Sequence, residues 1–431
     1  FKNSNTNKQL ILKMTKNQKY TKKIKRNSKK QIKLYITPDE LCMLDKEYFR
    51  FVLYEKLLNH IFNLLKIKNK YGVSYNINQT KNAVDRLIMN LINDIHKPNH
   101  IFFTDFTKND FIKYKEYRKF IDELKEKKVI KRTDNIKNIS RKIADLFYNI
   151  NLEYLSKVKH LKYSKIVKTN LEKPILKRKD IHLIDWDSYI EIHYKNYTKY
   201  ISKVRYDKIR NNYTKISDYQ FLRIILRYSL TKDSGQQWSY GDDELYLMIK
   251  DKFNINCELF GSPLNFIMPR YCSMFLDTDE PTGSYGSFYN ILDNDNFKTT
   301  STGSFYSPPY VPSLMDETSK MIDDILNIFN KQNIDYNIIC FLPNWEDSEH
   351  FKTLTNSKYH ITNKKLEIGD YICQKKSINQ KLLLSFPSRC ILLNSIANQE
   401  KDKKHYNKLI KDFKESMNYI YNEANEFKKQ K

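Results

Sequence analysis

Two apolar rhythms divide this 431-residue chain. From Pro38 onward, apolar side chains recur at helical spacing: Leu41, Leu44, Phe51, Leu58, Ile61, Phe62 and Leu65. That stripe predicts a long amphipathic helix. Its start is marked by Thr37-Pro38-Asp39-Glu40, a capping threonine, a proline at the first helical position and a glutamate three residues after the cap. NAVDRLIMNLINDI repeats the spacing with Val84, Leu87, Ile88 and Leu91, and SRKIADLFYNI and YQFLRIILRYSL behave alike. Residues 37–232 therefore read as a mostly helical unit.

Beyond it the rhythm changes. DELYLMIKDKF predicts a helix, and INCELF and CSMFL predict short strands. A helix is expected over 313–330, carrying Leu314, Met321, Ile322, Ile325, Leu326 and Phe329. YNIICFL is almost wholly apolar, as a strand buried on both faces of a parallel sheet must be. KLLLSF and RCILLNS supply later strands. Strand and helix in alternation predict an α/β, doubly wound domain over 233–398. Residues 399–431 form a charged, helical C-terminal segment.

Charge adds a partner. The formal net charge is +26, which favours a polyanion through counterion release: nucleic acid first, an acidic membrane surface second. Abundant Lys, Asn, Ile and Tyr also reflect AT-rich coding, compatible with a large DNA virus or an AT-rich protist. Residues 1–36 hold eleven Lys, one Arg and no acid, the composition of a basic interaction arm. No run of 18 apolar residues predicts a membrane span. The N-terminal stretch lacks the apolar core of a secretory signal, so a cytoplasmic or nuclear location is expected, or a viral factory if the source is viral. The six cysteines form no C-x-x-C and the nine histidines no ligand cluster, so neither a metal site nor a disulfide framework is expected.

The residues that shape backbone gather in one region. Six of eight glycines lie between 235 and 303, and seven of eleven prolines between 263 and 343. Ligand-binding loops are expected there. Ser307-Pro308-Pro309-Tyr310 fits the pattern Asp/Asn/Ser-Pro-Pro-aromatic of methyltransferases acting on exocyclic amines of nucleobases. An adenine N6 amine is a poor nucleophile because its lone pair is delocalised into the ring. A Ser307 hydroxyl and a Pro308 carbonyl can each accept one N–H and fix the amine for attack. Proline offers no competing donor, and Tyr310 supplies a ring on which an unstacked base can lie. Alone, four such residues also describe an ordinary proline-rich turn.

The surrounding segments narrow the reading. CELFGSPLNF (257–266), RYCSMFLDTDEPTGSYGSF (270–288), TGSFYSPPY (302–310) and IICFLPNWED (338–347) resemble, in order and spacing, motifs of the cap-specific adenosine-N6 methyltransferase family, also called phosphorylated-CTD-interacting factor. YICQKK (371–376) is similar to a fifth. The resemblance covers about 235–395. Ser307 stands where the family has its catalytic asparagine, and Tyr310 where it has phenylalanine. Trp186, Trp238 and Trp345 are too far apart for a WW domain, so binding to the phosphorylated polymerase tail is not implied. The G-x-G-x-G cofactor loop is missing.

The resemblance implies a Rossmann-like, S-adenosyl-L-methionine-dependent methyltransferase domain beside an N-terminal α-helical domain. It implies capped mRNA or other RNA as partner and the first transcribed adenosine beside the cap as target. Ser307, Pro308, Pro309 and Tyr310 would be catalytic. Gly261, Ser262, Pro263, Leu264 and Asn265 would take the place of the glycine-rich loop. Asp277 and Asp279 either hold cofactor hydroxyls or are lone acids near a turn. Gly283, Ser284, Tyr285 and Gly286 form either a loop over the target or a surface turn. Trp345 either stacks on a base or packs. HYKNYTKYISKVRYDKIRNNY (193–213) interleaves tyrosines with Lys203, Arg205 and Arg210, either as an RNA-binding face or as a lysine-coated helix. Two other readings use the same residues: an inactive methyltransferase fold serving as an RNA-binding scaffold, and an amino-methyltransferase of internal adenosines or DNA.

Overall fold

A computed structural model describes residues 30–32, 34, 36, 38–66, 83, 118, 120–122, 124, 136–159, 161, 181–212, 216–229, 238–310, 312–396 and 403–430. Most of the basic arm, Thr37 of the capping sequence, Gly235 and the Val84–Leu91 stripe lie outside them.

The first half begins with β1 (Lys30–Ile32), α1 (Pro38–Lys66) and α2 (Ile136–Lys159). It continues through β2 (Ile181–Asp185), β3 (Tyr189–Tyr194), β4 (Tyr197–Ser202), α3 (Lys203–Asn212) and α4 (Asp218–Tyr228). The mostly helical reading is corrected here, because β1–β4 pair in order as a four-stranded sheet, antiparallel throughout. In YIEIHY, Ile190, Ile192 and Tyr194 are buried while Tyr189, Glu191 and His193 are not, so the operative period is two. Residues 193–212 are therefore the end of a hairpin followed by a short helix. Tyr194, Tyr197 and Tyr206 are buried, and Tyr200 is exposed.

The second half runs β5 (Trp238–Tyr240), α5 (Asp243–Phe253), β6 (Cys257–Glu258), β7 (Arg270–Tyr271), α6 (Leu276–Asp279), α7 (Asp295–Thr300), β8 (Gly303–Tyr306) and α8 (Pro312–Lys331). It closes with β9 (Asn337–Pro343), α9 (Glu349–Thr355), β10 (His360–Leu366), β11 (Ile372–Lys375), β12 (Gln380–Leu383), β13 (Ser388–Asn394) and α10 (Lys403–Lys429). CSMFL is not a strand: β7 ends before it, and Leu276 already opens α6. KLLLSF lies in a separate three-stranded sheet, β12-β11-β5.

The main sheet has the order β10-β13-β9-β8-β6-β7. Strands β7, β6, β8 and β9 are mutually parallel, while β13 runs antiparallel to both its neighbours. Alternate residues of β9 face opposite cores. Ile338, Cys340 and Leu342 join the α8 side chains Met315, Ile322, Ile325 and Leu326. Ile339 and Phe341 join Leu245 and Ile249 of α5 and Leu409, Phe413 and Met417 of α10. Burying each such large apolar side chain contributes about 1.5–3 kcal/mol, and both faces of the sheet are covered. The charged C-terminal helix is thus anchored: Tyr419 also donates to the α5 capping carboxylate of Asp242 at 3.1 Å.

Gly303 opens β8 because no side chain fits there. A β-carbon would lie 2.9 Å from the Asn254 carbonyl oxygen and 3.1 Å from that of Asn337, on the two flanking chains.

The N-terminal helices share their core with the second half. Leu264, Phe266, Tyr271 and Phe275 belong to the same buried cluster as Leu44, Leu57, Phe147 and Phe221. An ion-pair network reinforces the junction. Buried Glu47 of α1 accepts from Arg227 of α4 at 2.5 and 2.7 Å, and Arg227 also reaches Asp277 of α6 at 3.0 Å.

Candidate active site

The chain passes outward from β6 to β7, then crosses back beyond β6 to β8 and β9. The strand order therefore reverses between β6 and β8, and in open α/β sheets the ligand crevice lies outside the carboxyl ends of strands at such a reversal. Register fixes what stands there. Glu258 of β6 is opposite Phe305 of β8, and Tyr306 is opposite Cys340 of β9. Gly261 follows the end of β6, Ser307 the end of β8 and Trp345 the end of β9, so three candidate loops leave one edge side by side. Neighbouring strands lie about 4.8 Å apart. An aromatic group joins the first two loops: Phe260 lies 5.0 Å from Phe288 and 5.7 Å from Tyr306, ring centre to ring centre. The Tyr306 hydroxyl bonds Thr318 of α8 at 2.7 Å, which holds the end of β8 against that helix.

The proline loop presents acceptors. Pro308 is buried, Ser307 and Pro309 are half-buried, and Tyr310 is 36% exposed. Neither the Ser307 hydroxyl nor the Pro308 carbonyl takes a hydrogen bond from any described residue. The Tyr310 ring sits edge-on to Phe386 at 5.5 Å and near Tyr240 at 6.4 Å.

The loop after β6 folds onto itself. Ser262 accepts from Leu264 N at 3.2 Å, and its hydroxyl donates to Asn265 Oδ1 at 2.8 Å. Ser262, Leu264 and Asn265 are buried, as is Pro263. The Asn265 amide nitrogen has no partner among the described residues. Gly261 is needed for packing, since a β-carbon would lie 2.8 Å from that of Tyr271. Sequence reasoning missed Glu258, which sits beneath this loop and accepts from the backbone of Ile267 and, at 2.7 Å, of Met268. Burial pushes its carboxyl up to about 7, against the pull of those N–H groups, Lys208 and Arg205.

Other candidates stand elsewhere. Asp277 accepts from Arg223 and Arg227. Asp279 is fully buried and accepts from Tyr228 at 2.5 Å and Thr278 at 2.7 Å. Burial raises its carboxyl to about 6, although Tyr228, Thr278, Ser273 and Arg227 oppose the shift. Both acids are thus engaged in holding α6 to α4. Residues Gly283, Ser284, Tyr285 and Gly286 do not form a surface turn. They run beside β7, with Tyr285 N donating to Tyr271 O at 2.8 Å and the Ser273 and Ser284 hydroxyls 2.7 Å apart. Tyr285 is buried. Trp345 is 40% exposed, with its ring against His350.

The cations of the 193–213 stretch are committed to protein partners. Lys203 pairs with Asp207, and Arg210 with Asp218 at 2.7 Å. Buried Arg205 donates to the Phe266 carbonyl at 2.8 Å, bracing the turn after Asn265. Among the described residues, no cluster of His, Cys, Asp or Glu has the arrangement of a metal site, and no helix is long and apolar enough to cross a membrane. The six cysteines are free thiols, all but Cys42 buried.

The architecture is that of a mixed helix and sheet protein whose main sheet is mostly parallel and reverses its strand order between β6 and β8. Residues 197–373 match the family model described as phosphorylated CTD interacting factor 1 WW domain. A mouse (Mus musculus) protein named mRNA (2'-O-methyladenosine-N(6)-)-methyltransferase is 34% identical over 96 residues, 22% of this chain and 12% of that protein. The human (Homo sapiens) protein of the same name is 33% identical over 95 residues, with the same shares. The similarity therefore spans about an eighth of the curated relatives' length, and it bears out the resemblance carried by the motifs between 257 and 376.

Proposed function

We propose that this chain is an S-adenosyl-L-methionine-dependent RNA methyltransferase acting on adenosine N6, with the first transcribed adenosine beside the mRNA cap as its target. One observation carries the reading. At the reversal of the sheet, a hydroxyl and a carbonyl on consecutive residues, Ser307 and Pro308, stand without donors among the described residues, beside an exposed tyrosine. An exocyclic amine has two N–H groups to give to two acceptors and a base to lay on the ring. The names of the mouse and human relatives support the same chemistry, and a net charge of +26 suits an RNA partner.

Within this reading, the Ser307 hydroxyl and the Pro308 carbonyl accept one hydrogen bond from each N6–H and orient the lone pair, and Tyr310 holds the base by stacking. The residues after β6 fit the cofactor, since the Asn265 amide nitrogen, without a partner among the described residues, offers a donor in the loop that follows β6. The cofactor supplies the methyl group. Asp277 and Asp279 serve by fixing α6, not by holding cofactor hydroxyls. Residues 233–398 carry the reaction, with the preceding helices and sheet as an accessory unit and the basic arm reaching for RNA. The protein works where capped mRNA is found, in cytoplasm or nucleus.

Titration calorimetry tests the cofactor half of this reading. S-adenosylmethionine and its demethylated product are each expected to bind with one site per chain. Absence of heat with both would leave an RNA-binding scaffold as the better account.

A further inference from the structure

Tyr240 closes β5, three residues before α5 begins. Its ring is 3% exposed and lies 4.8 Å from Phe341 of β9, 5.5 Å from Tyr371 beside β11 and 6.4 Å from Tyr310 of the proline loop. Its hydroxyl is buried and has no hydrogen-bond partner among the described residues. The tyrosine stacked on it differs: the Tyr371 hydroxyl is satisfied by the Phe386 carbonyl at 2.9 Å and by Ser388 at 2.5 Å. An unpaired buried hydroxyl is destabilising, whereas phenylalanine would fill the same space without that cost. Such a group calls for a partner beyond the described residues, and a bound ligand is one that chemistry supplies.

We infer that Tyr240 is a substrate-binding residue whose hydroxyl donates to a ring nitrogen of the target adenine. The inference rests on the reading of Ser307–Tyr310 given above. Tyr310 is the open wall of the aromatic group that encloses Tyr240. A base stacked on Tyr310 would cover that wall and bring its ring nitrogens, which are acceptors, to the hydroxyl. Adenine N1 and N7 flank the reacting N6 amine, so this bond would fix the base against rotation in its plane. No local motif surrounds Tyr240, and sequence reasoning did not single it out.

Tyr240→Phe removes one oxygen and keeps the ring. Three quantities are measured on the full chain, with wild type alongside: melting temperature, calorimetric affinity for S-adenosylhomocysteine, and steady-state methyl transfer to an adenosine-initiated capped RNA. The inference predicts a fall of about tenfold in kcat/KM for RNA, with cofactor affinity unchanged and the melting temperature unchanged or higher. Unaltered kcat/KM would overturn it, leaving the hydroxyl to water. A fall that follows weakened cofactor binding would overturn it by reassigning the hydroxyl to the cofactor. A lower melting temperature would overturn it by revealing a structural partner. Inactive wild-type protein would instead count against the methyltransferase reading itself.

Discussion

Ser307→Ala is expected to lower methyl transfer by about a hundredfold, and Pro308→Ala combined with Tyr310→Ala to remove it, while both proteins are expected to stay folded. The first effect follows from misplacing an amine that has one productive orientation, a loss on the order of a hundredfold in rate. The second adds loss of the stacking surface, about 1–3 kcal/mol for one base, and relaxation of a loop whose backbone two prolines hold extended. Ser307→Ala should melt close to wild type because its hydroxyl bonds no described residue, whereas the double variant should melt somewhat lower, since it also loses the Tyr310 contacts with Phe386 and Tyr240. Transfer to capped RNA and thermal melting, measured on the same preparations, check both halves. Full activity in the double variant would move the site elsewhere.

Glu47→Ala is expected to destabilise the protein by about 3–5 kcal/mol, the usual cost of breaking a buried pair. Glu47 is 1% exposed, and its carboxylate receives Arg227 at two oxygens, Arg50 at 2.8 Å and Arg223 at 3.3 Å. Removing it strands the Arg227 guanidinium, itself buried, with Asp277 as its remaining carboxylate. The same site sets a pH dependence. Burial raises the Glu47 carboxyl, but Arg227, Arg50 and Arg223 outweigh burial and hold it at about 2, below its ordinary 4.5. A depressed carboxyl stabilises the fold above its unfolded value and loses that contribution as pH falls toward its folded value. About 3 kcal/mol should therefore disappear between roughly pH 5 and pH 2. Urea unfolding of wild type and Glu47→Gln across that range reads it directly. The variant should be less stable at neutral pH and should lack this part of the acid dependence.

Much of the second half was legible because its signals are local. The apolar run of β9, the periodicity of α5 and α8, and the Ser-Pro-Pro-Tyr sequence each carry their own explanation. The hairpin of β3 and β4 was not legible, because a tyrosine- and lysine-rich stretch satisfies a helical stripe about as well as a period of two. The turn at Lys195, in left-handed conformation, has no glycine to announce it. The pairing of the acids was not legible for a different reason. Asp277 and Asp279 find their partners Arg227 and Tyr228 about fifty residues away, and no local pattern reports such a pairing. Arg205 illustrates the same limit: its charge suggested phosphate, but its guanidinium braces the Phe266 carbonyl. Tyr240 became visible only when its hydroxyl was found buried and unpaired beside the proline loop.

The central claim is transfer of a methyl group to adenosine N6. The direct measurement is incubation of the full chain with isotope-labelled S-adenosylmethionine and RNA beginning with adenosine, capped or uncapped, followed by digestion to nucleosides and mass analysis. The account predicts label on N6 of the cap-adjacent adenosine, with capped RNA clearly preferred. Equal labelling of uncapped RNA would remove the cap from the account. Absence of N6-methylated adenosine from every RNA, with the cofactor bound, would contradict it.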